Sequence, residues 1–86
     1  MDITFTWLRK KLKEDDFGDA TDLLLSMQGT DGVDTYKNAM VVSFGGDDIK
    51  PIDEWTDAEI DTWAEGNRST LESAITFEFE NPPPTV

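Results

Sequence analysis

The sequence predicts an α+β fold, a small single domain in which a short antiparallel sheet packs with two to four short helices. Three observations carry that reading. Ile3, Phe5 and Trp7 alternate with Asp2, Thr4 and Thr6, and Ile75, Phe77 and Phe79 alternate with Thr76, Glu78 and Glu80, the period-two pattern of half-buried strands. Between these ends, Trp55-Thr56-Asp57-Ala58-Glu59-Ile60 has the signature of a capped helix. The length of 86 residues, 37% of them hydrophobic, suits one domain with a modest core.

The strands are expected near residues 2–7, 39–44 and 74–80. A helix through the first segment is the rival. It would gather Phe5, Leu8 and Leu12 on one side but throw Ile3 and Trp7 to the other, so a strand to about Trp7 and then a short basic helix to Asp15 are expected. A second helix is expected from Asp19 to Gln28, capped by Asp19 or Thr21. Ala20, Leu23, Leu24 and Met27 form its apolar stripe, and Gly29 is its left-handed stop. Asp31-Gly32 reads as a turn. Met40, Val42 and Phe44 then mark the middle strand, which can pair with residues 33–36 across Lys37-Asn38. Gly45-Gly46-Asp47-Asp48 ends that strand and opens a polar loop to Pro51.

The next helix is the best specified. Thr56 accepts from the Glu59 amide, the Glu59 carboxylate reaches back, and Trp55 with Ile60 forms the hydrophobic staple. It should end at Glu65 with Gly66 as the stop. Ser69 and Glu72 repeat the cap pattern, predicting another short helix with Leu71 and Ala74 before the final strand. Asn81-Pro82-Pro83-Pro84 cannot continue a sheet, so the domain is placed at 1–80 and a Pro-rich tail at 81–86.

Charge bounds the chemistry. There are 19 Asp and Glu against 7 Lys and Arg, a formal net of −12. The bases cluster at Arg9, Lys10, Lys11 and Lys13, so nearly all the acid lies beyond residue 13. A strong single-sign field attracts the opposite sign, which makes a basic partner the expectation and direct nucleic-acid binding unfavourable. The short basic segment is expected to dock internally against the acidic remainder. Solubilisation and adaptation to high salt would also produce an acidic surface.

Several functions lose their residues. The chain has no His and no Cys, hence no imidazole acid–base group, no thiolate metal site and no disulfide. No nucleophile elbow or phosphate cradle is present; Gly45-Gly46 is followed by two Asp rather than by Lys and a hydroxyl. Asp15-Asp16-Phe17-Gly18-Asp19 and Gly45-Gly46-Asp47-Asp48 contain calcium-type ligands without the EF-hand spacing. The expectation is therefore a non-enzymatic protein with no cofactor and no metal. No apolar run reaches the roughly 20 residues of a membrane span. Met1 to Phe5 lacks the pattern of a secretory signal, so a cytoplasmic setting is expected.

The sharpest candidate site is an acidic face. Asp53, Asp57, Asp61 and Glu65 recur every four residues, and helical residues four apart lie roughly 6 Å from one another. That gap is comparable to the separation of successive phosphates on a nucleic-acid strand. Glu54, Asp47 and Asp48 extend the candidate contact, and Glu78 and Glu80 would widen it from the outer face of the last strand. Trp7, Trp55, Trp63, Phe77 and Phe79 are expected in the core; an exposed Trp55 or Trp63 would instead anchor an interface.

In size, charge and lack of catalytic residues, the chain resembles the small acidic proteins that viruses and mobile elements use against host nucleic-acid enzymes. These include nucleic-acid mimics, anti-restriction and anti-CRISPR proteins, and toxin-neutralising immunity proteins share the same general properties. The resemblance is one of composition and transfers no residue. It implies a partner that is a basic nucleic-acid-binding protein, met in the cytoplasm (the host's, if the protein is viral). The alternative is a small structural or assembly subunit of a virion or larger complex, engaging neighbours through strand edges or the tail.

Overall fold

A computed structural model describes residues 2–82. The order is β1 (Thr4–Glu14), β2 (Asp19–Thr30), β3 (Thr35–Ser43), a 3-10 turn (Gly46–Asp48), β4 (Lys50–Pro51), a second 3-10 turn (Ile52–Glu54), α1 (Asp57–Gly66) and α2 (Arg68–Glu80). The α+β class holds, with an antiparallel sheet of four strands and two helices. β2 is central, between β1 and β3, and β4 continues the line of β3 by pairing with Asp19 and Ala20. Among the described residues no helix is long and apolar enough to cross a membrane. The tail expected at 81–86 lies mostly outside the described residues, from 83 onward.

Four sequence expectations are overturned, each for a physical reason. The basic helix at 8–15 is the second half of β1. Its register shifts between Trp7 and Arg9, so inward residues run Phe5, Trp7, Lys10, Leu12. One extra residue in a strand mimics helical spacing locally. The helix at 19–28 is β2, where Leu23, Leu25 and Met27 alternate inward and are buried. Leu24, which completed the apparent helical stripe, faces the other way. Paired on both sides, this segment takes its conformation from its neighbours rather than from propensity.

The break placed at Lys37-Asn38 is absent, since β3 runs through it and all of 33–44 does not fold on itself. The final strand at 74–80 is the second half of α2. Leu71 and Ile75 are buried and Phe79 packs beside them, a four-residue spacing that seats the helix on the sheet. Phe77, whose alternation suggested a strand, is 63% exposed. Ser69 supplies no cap; α2 already begins at Arg68, and Asn67 joins it to α1 by donating from Nδ2 to the Trp63 carbonyl at 2.8 Å.

Both helices cover one face of the sheet. Leu12, Ala20, Leu23, Leu25, Met27 and Phe44 meet Ala64, Leu71 and Ile75 there. Gly29 is part of this packing rather than a helix stop. A Cβ on it would sit 2.6 Å from Ile75 Cγ2 and 3.0 Å from Ile3 Cγ2, so only glycine admits the helix at that height. The turns behave as read: Asp31 Oδ1 accepts from the Val33 and Asp34 amides at 2.9 and 2.8 Å, and Gly32 has φ +95°. Those two bonds hold the Asp31 carboxyl below its usual range.

The other face of the sheet carries no covering element among the described residues. Directly opposed residues of an antiparallel pair share a face, so the registers place Arg9 beside Ser26 and Ala39, Lys11 beside Leu24 and Val41, and Gln28 beside Lys37. The molecule is accordingly thin, 45 × 27 × 17 Å, with a radius of gyration of 15.2 Å. A compact domain of this length would have about 12 Å.

Candidate functional site

α1 is built as expected at its start. Glu59 N donates to Thr56 Oγ1 at 3.2 Å and Thr56 N donates to Glu59 Oε1 at 3.2 Å, closing the capping box. Trp55 and Ile60 are half-buried against the core. Glu59 is also the partner of Lys50 Nζ. Hydrogen bonding from Lys50, followed by the Thr56 amide, holds its carboxyl below the ordinary value of 4.5.

The four-residue acidic repeat is only partly realised. Asp57, Asp61 and Glu65 lie on α1 and are exposed, but Asp53 belongs to the preceding 3-10 turn and is outside the helical register. Asp61 accepts from Lys10 Nζ at 2.8 Å, a bridge from the helix to β1. Glu65 faces Arg68 Nη1 at 3.3 Å, and Arg68 Nε reaches Glu72 at 3.0 Å. The Arg68 guanidinium is pushed above its usual value, chiefly by the Glu72 bond. Two of the three helical acids are thus neutralised from within. Glu78 and Glu80 lie on α2, not on a strand, with Glu78 half-buried.

The acids without an internal partner lie instead in the segment leading into the first residue of α1. Asp47, Asp48, Asp53, Glu54 and Asp57 are exposed and have no side-chain hydrogen bond or ion pair among the described residues. The backbone beneath them is well fastened. Phe44 N donates to the Thr21 carbonyl at 2.9 Å, Lys50 and Pro51 pair with β2, and Ile52 N donates to the Gly18 carbonyl at 2.9 Å. Phe44 stacks on Trp55 at 4.6 Å and meets Trp63 edge-on at 5.0 Å, while Lys50 Nζ lies 5.0 Å from the Trp55 ring. Buried Phe44 and half-buried Ile52 and Trp55 anchor a segment whose carboxylates at 47, 48, 53 and 54 are exposed.

The tryptophans are therefore half-buried core members and not exposed anchors. Among the described residues no group of three or more His, Cys, Asp or Glu is placed to hold a metal ion. In the Asp15–Asp19 loop, Asp15 Oδ1 already accepts from the Phe17 and Asp19 amides at 2.8 and 3.0 Å.

The basic segment splits by parity. Lys10 points to the helical side and docks internally on Asp61, as expected; Arg9, Lys11 and Lys13 point to the bare face and have no ion pair among the described residues. Lys37 joins them from β3. The i, i+2 spacing of Arg9, Lys11 and Lys13 was the available signal, obscured by the helical reading of that segment. Compared with known proteins, the chain matches no family model, no curated protein and no solved structure.

Proposed function

We propose that this is a non-enzymatic binding protein whose acidic flank, residues 47–57, occupies the basic site of a nucleic-acid-handling protein in the cytoplasm. The observation that supports this reading is the run of five unpaired, exposed carboxylates, Asp47, Asp48, Asp53, Glu54 and Asp57, on a fastened backbone. Its one cation, Lys50, is taken by Glu59. A fixed array of like charge loses little entropy on docking and steers a cationic groove towards it. Asp61 and Glu65 flank the array and would have to exchange internal partners for external ones. Block of the site would be steric and electrostatic.

The test is capture from cell lysate on the immobilised full chain at low and high salt, with DNA as competitor. A nucleic-acid-binding protein should be retained, released by salt and by DNA, and lost with the combined D47N, D48N, D53N, E54Q and D57N variant. A partner that survives high salt, ignores DNA and still binds the variant would instead support an assembly subunit. The free edges of β1 and β3 favour that second reading, since each pairs only with β2 on one side among the described residues.

A further inference from the structure

The cations of this chain fall into two groups. Lys10, Lys50 and Arg68, on the helical side, are each in an ion pair; Arg9, Lys11, Lys13 and Lys37, on the bare sheet face, are in none among the described residues. In a protein with 19 acids, four bases spread along one sheet face have no ion pair among the described residues. Acids do lie on it: Asp19 at the start of β2, next to the inward Ala20, and Asp22. Asp22 is opposite Lys13, but its carboxylate turns aside to accept from Ser43 Oγ at 2.8 Å and Thr21 Oγ1 at 3.0 Å.

The centre of the face is aliphatic. Leu24 and Val41 are directly opposed across β2 and β3, Val41 is 58% exposed, and with Arg9, Ser26 and Ala39 they line a shallow depression of about 240 Å³. An apolar centre ringed by charge is the anatomy of a protein-docking surface. The aromatic residues of the three long strands, Phe5, Trp7 and Tyr36, lie on the helical side. The face therefore offers bases no stacking platform, which argues against single-stranded nucleic acid.

We propose that the bare sheet face is a second docking surface, independent of the acidic flank, which receives an acidic amphipathic segment of a protein partner. Aliphatic side chains of that segment sit on Leu24 and Val41, and its carboxylates reach Arg9, Lys11, Lys13 and Lys37. The protein then has two ends of opposite preference and can bridge a basic and an acidic partner.

The probe is a fluorescein-labelled synthetic helix of about 16 residues, long enough to cross the face at ~1.5 Å per residue, with Leu on one side and Glu flanking it. Its Lys-for-Glu counterpart and an oligothymidine of similar length serve as the other arms. Backbone amide NMR shifts and fluorescence anisotropy are read with the full chain at about 0.15 M salt. The acidic helix should bind and move the amides of Arg9, Lys11, Leu24, Ser26 and Val41. Combined R9E, K11E and K13E substitution, or Val41→Asp alone, should weaken it by roughly tenfold or more, with an unchanged amide spectrum elsewhere. The D47N, D48N, D53N, E54Q and D57N variant should bind it undiminished. Absence of shifts at about 1 mM peptide, a regime of negligible affinity, would overturn the proposal and leave the four cations as guards of the sheet edges. Preference for the Lys helix or the oligothymidine would overturn it equally.

Discussion

The two faces of the sheet are built from the same three strands and behave as different materials. On the helical side Leu23, Leu25, Met27 and Ile75 have essentially no exposure, and every cation is matched by a carboxylate. On the bare side Val41 is more than half exposed and the bases have no counter-ion among the described residues. Stability resides on the first face and availability on the second. Alternation produces the division, since each step along a strand changes the face, and the register shift between Trp7 and Arg9 decides which bases fall on which side.

The strongest way to break this contrast is to truncate equivalent aliphatics on either side. Ile75→Ala should lose about 2–5 kcal/mol in urea unfolding, whereas Val41→Ala should change stability by less than about 0.5 kcal/mol. Comparable losses would mean that the bare face is covered in solution. Gly29→Ala comes next, at about 1–3 kcal/mol for overpacking against Ile75. Its effect should be strongly non-additive with Ile75→Ala, because the second change removes the methyl that the new Cβ would strike. Simple additivity would show that the two do not meet.

Thr56→Ala should cost about 1 kcal/mol by removing the α1 cap, read in the same unfolding experiment. A smaller, pH-dependent effect belongs to Glu59. Its carboxyl titrates below 4.5 in the folded state, so its stabilisation is present above that value and lost as pH falls through the lower folded pKa. Thermal melts of Glu59→Gln should fall less steeply over that acid window than those of the parent. Equal slopes would place the acid sensitivity elsewhere. The smallest effect sharpens the comparison of cations: Lys10→Gln should lower Tm more than Lys11→Gln, and added salt should shrink the difference.

Legibility in the sequence followed the range of the interactions. The capping box at Thr56 and the turn at Asp31 are made by residues within three positions of one another, and both were readable from spacing alone. β1 and β2 were not. Their apolar residues fall at mixed intervals because the register shifts between Trp7 and Arg9 and again between Lys13 and Glu14, and only the partner strand reveals this. The stretch 74–80 misled for the opposite reason. Ile75, Phe77 and Phe79 fit a strand pattern, but Leu71 upstream completes a four-residue stripe, and Phe77 is simply left outside. The candidate site was half visible. Counting acids found the 47–65 region, while the competition of Lys10 and Arg68 for Asp61 and Glu65 depends on which residues the fold makes neighbours.

Gly29 has a consequence beyond its own packing. Ile75 occupies the space of the missing side chain, and its neighbours along the stripe are Leu71 and Phe79. Sliding α2 by one turn would bring a differently shaped group over the notch, so the helix has a single seat. α1 is tethered to α2 through Asn67 alone in the chain. The height of α2 on the sheet is thus indexed by a hydrogen atom where every other residue would carry a carbon.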